Sequence, residues 1–398
     1  MARIVYAWEL GGGFGHTHAF LPLARGLRDR GHEVVFVLKD LLNAERELGA
    51  QGFRCFQAPM FQGRLVGLPD PPANLSEILF HCGFLKEEYL LGLVRAWREL
   101  LTLLEPDLVV GDYSPSALLA ASISRIPSAS FGTGFCRPPA LHPLPNLRPW
   151  LPIDEARLLG SDLKIVDTAN KVLRRFDVNP ISTVAEIFSC GEDFLCTHAE
   201  LDHYRERPNA RYWGSMHNLN GGVEIPWAGR EKYRIFGYIK PSYIGLRQLL
   251  DQLILLENHE IILFCPGLAG AIVAKYASSR LRITQRPVAL AGLLDGCDLA
   301  ICHAGHGTVC AMSRAGIPVL CLPMNLEQHL TGLRVAAMGA GAMVESPEKQ
   351  TDYLARIDDL LKEPQYRLAA RSFAQRHADF TQERIHGDIF ARLLEMLA

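Results

Sequence analysis

The residues with the clearest capacity for chemistry lie between Asp298 and Gln328. A short apolar run, Leu299 to Ile301, leads into the segment His303-Ala304-Gly305-His306-Gly307-Thr308, where the sequence predicts the start of a helix. The first N–H groups of a helix have no partners within it and form the positive end of its dipole. A turn with two glycines at that point therefore suits a bound phosphate.

The chain then returns to the same edge of the predicted sheet. Gly316-Ile317-Pro318 ends the helix and begins a strand from Val319 to Leu322, which Glu327 and Gln328 follow. In open α/β sheets, ligands bind at the carboxyl ends of the strands. We therefore expect this carboxylate and this amide to lie at the carboxyl end of a strand and to face a ligand.

This order of His-x-Gly-x-Gly-Thr, Gly-x-Pro and Pro-x-x-x-Glu-Gln resembles the nucleotide-sugar signature of family-1 (UDP-glycosyltransferase-like) enzymes. Those enzymes have the GT-B fold, in which two doubly wound, Rossmann-like α/β domains face each other across a cleft. The resemblance implies one group of residues for the donor phosphates: His303, Gly305, Gly307 and Thr308. It implies a second group for the sugar hydroxyls: Glu327 and Gln328.

Ala311 departs from the family pattern. The family usually has a Glu eight residues after the signature His, where its carboxylate binds the ribose hydroxyls. Without that carboxylate, both UDP-sugars and dTDP-sugars remain candidate donors.

The N-terminal half begins with a predicted βαβ unit. Arg3 to Trp8 and Glu33 to Leu38 are strands, Gly11 to Gly15 is a flexible turn, and Thr17 to Arg30 is an amphipathic helix. A glycine-rich turn after the first strand is also part of the dinucleotide-binding fingerprint. Asp40 lies near the position where that fingerprint has the carboxylate that binds ribose. That fingerprint does not fit, because its third glycine would fall on His16 or His18.

Gly15-His16, followed by Gly31-His32, resembles the opening segment of the same glycosyltransferase family. The resemblance implies that His16 is the catalytic base and that Asp112, which ends a buried strand, orients it. Sugar transfer needs such a base, because a hydroxyl is a poor nucleophile until its proton is removed. A helix N-terminus lowers the pKa of an imidazole, and a carboxylate opposes that effect.

Three further donor contacts are implied by the resemblance. Ser242 lies in the turn after a strand from Tyr233 to Ile239 and is a candidate phosphate ligand. Val288 lies where backbone groups of the family meet the pyrimidine edge. Arg286 is a candidate for stacking on the base.

The acceptor is expected to bind the N-terminal half. Met60 to Phe84 is a long segment that matches a region shaping the acceptor pocket in the family. The proline-rich loop from Gly132 to Trp150 has two interpretations: it closes over the acceptor, or its aromatic residues pack against the sheet. His81 and His142 in these loops are interpreted as polar lining, since no metal-ligand spacing surrounds them.

The length of 398 residues predicts two domains. We place the N-terminal acceptor domain at residues 1–214, a hinge at 214–227 and the nucleotide-sugar domain at 215–375. A last helical stretch runs from about Arg367 to Leu394. In the GT-B fold the C-terminal helix, about 376–398 here, packs back on the N-terminal domain.

The composition narrows the class of protein. A net charge of -2 gives no basic surplus for nucleic acid, and ten cysteines without CxxC pairs indicate buried thiols in a reducing compartment. The first residues show no secretory signal, and no window of about 18 apolar residues predicts a membrane span. We expect a cytoplasmic protein.

Together these features predict an inverting transferase that moves a hexose-type sugar from a UDP- or dTDP-sugar to a hydroxyl of a small-molecule acceptor. The donor is a substrate, and neither a cofactor nor a metal is expected. One alternative is a membrane-associated, lipid-linked sugar transferase similar to the peptidoglycan N-acetylglucosaminyl transferases, which a basic or apolar patch on the N-terminal domain would favour. The other is a non-catalytic nucleotide-sugar sensor, which would lack the pair of His16 and Asp112.

Overall fold

The computed structural model describes residues 1–12, 15–205, 207, 209–216, 221–229, 231–345 and 350–398, except the side chains of Asn43 and Cys136. Gly13 and Phe14 of the predicted glycine turn, and 217–220 of the predicted hinge, lie outside the described residues. The contacts divide the chain into two compact units. The first contains Met1–Ala199, Tyr204–Gly214 and Glu383–Ala398, and the second contains Glu200–His203 and Ser215–Gln382.

The first unit contains a six-stranded parallel sheet in the order β3-β2-β1-β4-β5-β6. Its strands are β1 (Arg3–Trp8), β2 (Glu33–Leu38), β3 (Arg54–Gln57), β4 (Leu108–Asp112), β5 (Ser128–Gly132) and β6 (Glu192–Leu195). The predicted strands β1 and β2 are confirmed with the same bounds. This strand order is that of a doubly wound sheet.

Helices cover this sheet. They are α1 (Gly15–Asp29), α2 (Leu41–Glu47), α3 (Leu75–Leu79), α4 (Glu87–Leu104), α5 (Pro115–Ile123) and α6 (Glu155–Arg174). The predicted apolar face of α1 is buried, and its Phe20 ring stacks on Tyr6 of β1 with centroids 4.6 Å apart. Asp40 caps the N-terminus of α2 by accepting the Leu42 N–H.

The second unit contains a second six-stranded parallel sheet, in the order β12-β11-β10-β7-β8-β9. Its strands are β7 (Tyr233–Tyr238), β8 (His259–Phe264), β9 (Leu281–Thr284), β10 (Leu299–Cys302), β11 (Val319–Cys321) and β12 (Gly341–Met343). Because β7 and β10 are adjacent at the centre, the turns that follow them lie side by side. Strand order reverses at that point, which is the usual ligand position in such sheets.

The remaining helices are α7 (Leu246–Leu253), α8 (Gly270–Tyr276), α9 (Ala291–Leu294), α10 (His306–Arg314), α11 (Leu326–Ala337), α12 (Tyr353–Lys362), α13 (Pro364–Arg376) and α14 (Gln382–Met396). The last helical stretch was predicted as continuous, but it is divided between α13 and α14. The Phe390 ring of α14 packs on Gly26 of α1, and Arg392 forms an ion pair with Glu192 at 2.6 Å. These contacts lie within the first unit.

Two features of the first unit differ from the prediction. The segment from Met60 to Phe84 was expected to be a loop, but α3 and a further helical turn, Phe80–Phe84, occupy its second half. Helix α6, which spans 20 residues, was not predicted. Within the described residues, no helix combines the length and the apolar character that a membrane span requires.

Candidate active site

His16 and Asp112 meet at the carboxyl end of the first sheet. His16 lies in the first turn of α1, and Asp112, the last residue of β4, is in register with Trp8 of β1. The His16 Nδ1 atom lies 2.9 Å from Asp112 Oδ2, and the two side chains are 14% and 2% exposed. A carboxylate at Nδ1 holds the ring proton there, so Nε2 is the nitrogen suited to accept a proton.

Tyr6, which the sequence analysis did not identify, holds Asp112 in place, and Gly132 leaves room for the second carboxylate oxygen. The Tyr6 hydroxyl lies 2.8 Å from Asp112 Oδ2 and 2.8 Å from the His16 carbonyl oxygen. Gly132 has a φ of +134°, and a Cβ at that position would lie 2.9 Å from Asp112 Oδ1. The buried carboxylate therefore has little freedom to turn away from His16.

Trp8 and Gly11 contact the imidazole itself. The Trp8 ring stacks on the His16 ring with centroids 5.0 Å apart and planes 22° apart. Gly11 has a φ of +79°, and a Cβ there would lie 3.0 Å from His16 Nε2. The first glycine of the turn therefore leaves the space beside Nε2 that a side chain would fill.

Glu9 is a buried carboxyl beside this end of the sheet. It accepts hydrogen bonds from the Ser116 hydroxyl at 2.5 Å and from the Ala117 N–H at 2.6 Å, in the first turn of α5. Burial raises the pKa of Glu9 from 4.5 to about 7, because these hydrogen bonds offset only part of the cost of burying a charge.

We expect Glu9→Gln to reduce the loss of stability at rising pH. A carboxyl with a raised pKa keeps its proton in the folded protein while the unfolded chain has lost it. Its contribution to stability is therefore complete below pH 4.5 and lost as the pH rises through about 7. The free energy of unfolding of the variant minus that of the wild type should increase by about 2–3 kcal/mol from about pH 5 to about pH 8.5. Chemical unfolding at a series of pH values measures this difference. Parallel stability curves would contradict this expectation.

A buried polar network ties the two predicted acceptor loops to α6. Asp162 of α6 accepts hydrogen bonds from Asn74 Nδ2 at 3.1 Å, Ser76 Oγ at 2.6 Å and the Leu144 N–H at 2.7 Å. His142 Nδ1 lies 3.5 Å from the same carboxylate. Asp162 therefore contacts both loops at once.

Glu77 completes this network from α3. Its buried carboxylate accepts two hydrogen bonds from Arg157, at 2.9 and 2.8 Å, one from Ser161 Oγ at 3.0 Å and one from the Ala73 N–H at 2.6 Å. The Leu147 N–H donates to the Ala73 carbonyl at 2.8 Å and joins the loops directly. The two loops and α6 thus form one rigid assembly.

The predicted donor turn lies in the second unit, between β10 and α10. Gly305 caps the helix and Gly307 lies in its first turn, and a Cβ at either position would meet no atom within 4 Å. Ala304, just before them, has a φ of +55°, a left-handed conformation that alanine rarely adopts. Open space in front of this helix N-terminus, where half-buried Thr308 lies in the first turn, fits a phosphate.

His303 contacts backbone groups at both ring nitrogens. Its Nδ1 lies 2.8 Å from the Leu322 carbonyl oxygen, and its Nε2 accepts the Lys240 N–H at 2.7 Å. Burial is the main cause that lowers the pKa of His303, and the nearby charge of Lys240 lowers it further. The neutral ring joins the turns after β10 and β7, and a bond to phosphate would have to replace the one to Lys240.

Ser242 is exposed in the turn after β7, as a phosphate ligand would be. Lys240, two residues earlier, is also exposed and brings a positive charge to this turn. The sequence analysis missed Lys240, although a lysine that directly precedes a candidate phosphate turn was a readable signal.

Glu327 and Gln328 lie in the first turn of α11, whereas the sequence analysis placed them at the end of a strand. Asn325 caps this helix by accepting the Gln328 N–H at 3.0 Å. The Gln328 Oε1 atom accepts the Met324 N–H at 2.8 Å, so its NH₂ group is the part suited to donate to a sugar oxygen. Both predicted sugar ligands are half-buried.

The predicted base-binding residue Val288 lies in a segment that pairs with Val223. Val223 pairs with this segment through the Pro287 carbonyl, at 2.8 Å, and the Ala289 N–H, at 3.0 Å. Since successive backbone groups of an extended chain point in opposite directions, the N–H and C=O of Val288 point away from Val223. Arg286 is exposed, as a side chain that stacks on a base would be.

Comparison with known proteins shows which sequences this chain resembles. Residues 247–387 match the C-terminal domain of erythromycin biosynthesis protein CIII-like proteins. A PGL/p-HBAD biosynthesis glycosyltransferase of Mycobacterium tuberculosis is 24% identical over 306 residues, which cover 71% of this chain and 69% of that protein.

Solved structures match over the whole chain. The glycosyltransferase SnogD from Streptomyces nogalater is 19% identical with a TM-score of 0.65, covering 98% of this chain and 99% of its own. The spinosyn rhamnosyltransferase SpnG, complexed with thymidine diphosphate, is 16% identical with a TM-score of 0.70, covering 99% and 100%. The fold is that of the GT-B enzymes, and the protein is a glycosyltransferase. These matches support the resemblance of the chain to the family-1, UDP-glycosyltransferase-like enzymes.

Proposed function

We propose that the protein is an inverting glycosyltransferase that moves a hexose-type sugar from a UDP- or dTDP-sugar to a hydroxyl of a small-molecule acceptor. The observation that carries this proposal is the 2.9 Å contact between His16 Nδ1 and buried Asp112. That contact prepares Nε2 to take the proton of an acceptor hydroxyl. A nucleotide-sugar sensor has no use for such a pair.

The reaction follows from these groups. The acceptor oxygen gives its proton to His16 Nε2 and attacks the anomeric carbon from the side opposite the nucleotide. The bond from that carbon to the diphosphate oxygen breaks, and the configuration inverts. Asp112 stabilises the imidazolium, and the N–H groups at the start of α10 stabilise the charge of the departing nucleotide diphosphate.

The relatives support the donor and acceptor classes. SpnG was solved with thymidine diphosphate and with the spinosyn aglycone, and other relatives are named as rhamnosyltransferases of PGL/p-HBAD biosynthesis. We infer that the donor is a nucleotide diphosphate sugar and that the acceptor is a hydroxyl-bearing aglycone.

The test is a turnover assay with UDP-glucose, dTDP-glucose and GDP-glucose against a panel of aglycones, followed by NMR of the product. We expect nucleotide diphosphate release with the first two donors and a β-linked product from these α-linked donors. An α-linked product would contradict inversion. Transfer to lipid-linked acceptors in vesicles, without transfer to any soluble aglycone, would favour the membrane-associated alternative.

We expect UDP and dTDP to bind within about tenfold of each other, because the methyl group of Ala311 cannot replace a carboxylate that bonds to ribose. Such charge-assisted bonds are worth about 1.5–3 kcal/mol. Calorimetry with UDP, dUDP and dTDP separates the 2′-hydroxyl from the base methyl group. A strong preference for UDP over dUDP would show that another residue binds the ribose, and His306 and Ser313 would be tested next.

Ala311 is only 3% exposed, so Ala311→Glu places a carboxylate in a buried position on α10. We expect this variant to gain a preference for UDP over dUDP and to unfold at a lower temperature without nucleotide. Ala311→Gln has the same size without the charge and is the matched control. Equal ribose preference in both variants would exclude the charge as the cause.

A further inference from the structure

Lys39 lies directly after β2 and contacts Trp8 and Gly11, two residues that lie beside the His16 ring. Its N–H donates to the Trp8 carbonyl at 3.0 Å, which extends the pairing of β1 with β2 by one residue. Its ammonium donates to the Gly11 carbonyl at 2.6 Å and lies 5.9 Å from the centre of a Trp8 ring. Trp8 stacks on the imidazole and Gly11 lies beside its Nε2.

We propose that Lys39 is a positioning residue for His16. Lys39 fixes the Gly11 peptide beside Nε2, and its positive charge opposes protonation of the imidazole. The proposal rests on the proposed function, in which His16 is the base. A base must be neutral when the acceptor binds. The helix N-terminus and Lys39 favour the neutral ring, whereas Asp112 favours the imidazolium.

Several other described titratable groups near His16 or Lys39 are paired or buried. On α1, His18 is paired with Glu47 of α2 at 2.9 Å. The Glu9 carboxyl, which follows β1, accepts the Ala117 N–H in the first turn of α5. Burial is the main cause that raises the pKa of Cys82 to about 12, which keeps that thiol neutral. Tyr6 contacts the dyad through its hydroxyl.

Titration of His16 by NMR tests the electrostatic part without any substrate. The His16 signal is assigned by its loss in His16→Gln. We expect Lys39→Met to raise the midpoint by about half a pH unit, and Lys39→Arg to leave it unchanged. Lys164→Met is the matched control, because Lys164 Nζ also lies 5.9 Å from a ring centre, that of Phe80. An unchanged midpoint in Lys39→Met would overturn the electrostatic role.

Lys39→Gln separates the hydrogen bond from the charge, since its amide can donate to the Gly11 carbonyl while it carries no charge. We expect its midpoint to rise as in Lys39→Met. Repeating the titration in Glu9→Gln removes a nearby carboxyl whose pKa burial raises to about 7. Unfolding temperatures of all variants identify any loss of folding.

Hydrolysis of dTDP-glucose and UDP-glucose, with water as acceptor, tests the positioning part. We expect Lys39→Met to lower kcat about tenfold, since small displacements of a catalytic group reduce rates strongly, and Lys39→Arg to restore most of it. Wild-type hydrolysis by Lys39→Met would overturn this part of the proposal. If His16→Ala hydrolyses donor as fast as the wild type, the proposed function fails instead, and the NMR result still decides the contact between Lys39 and the ring.

Discussion

Replacing His16 with alanine will lower sugar transfer by about 10²–10⁴, the usual contribution of a positioned general base. The methyl group cannot take the proton of the acceptor hydroxyl, so the oxygen must attack before it is activated. The donor residues belong to the other unit, so nucleotide affinity should stay within a few-fold of the wild type. Transfer rates and calorimetry with free nucleotide diphosphate measure the two quantities separately.

Asp112→Asn is the companion variant. It keeps the shape of the side chain, but it removes the negative charge 2.9 Å from His16 Nδ1 that stabilises the imidazolium. We expect transfer to fall in the same direction, with a displaced pH profile. If rate and profile both stay those of the wild type, Asp112 does not orient the base, even when His16→Ala is inactive.

The second large effect is expected for Gly11→Ala, with a loss of transfer of about 10²-fold. The new Cβ would lie 3.0 Å from His16 Nε2, at the place where an acceptor oxygen must approach, and the φ of +79° strains any side chain. The loop or the imidazole must therefore shift, and a shift of about 1 Å is enough for such a loss.

Gly12→Ala is the matched control for this prediction. Gly12 is exposed, and a Cβ there would meet no atom within 4 Å. Steady-state transfer rates and unfolding temperatures should therefore match the wild type in Gly12→Ala. Equal activity in the two alanine variants would show that the space beside Nε2 is not used by the acceptor.

Individual strands were accessible from the sequence because their signal is local. Arg3–Trp8 and Glu33–Leu38 are continuous apolar runs bounded by glycine turns, and their bounds agree with the prediction. The pairing of His16 with a carboxylate at the end of β4 was implied by the family resemblance, and it agrees with the fact that parallel strands end at a common edge. The contact of 2.9 Å agrees with that expectation.

Helix α6 was missed although its signals were present. Asp154 caps its N-terminus, and buried Leu158, Ile165, Ala169 and Val172 follow at helical spacing. The start of α3 was likewise readable, because Asn74 and Glu77 have the spacing of a capping box. Prolines in the neighbouring segments favoured the interpretation of loops.

Contacts between distant residues that no family motif implied were not accessible. The sequence identifies His303 as a candidate phosphate ligand, but its Nε2 partner, Lys240, is separated from it by 63 residues. The stacking of Trp8 on His16 and the contact of Lys39 with Trp8 depend in the same way on how two strands and a turn come together. Spacing within one motif contains no information on such contacts.

The buried network around Asp162 and Glu77 links the two predicted acceptor loops to α6, so we expect these three segments to be inherited together. A homologous loop exchanged alone would leave one of these carboxylates buried without its donors, and each lost partner destabilises the fold by about 1–3 kcal/mol. Diversification toward new acceptors is therefore confined to loop positions outside the network, or it requires recombination that moves all three segments together.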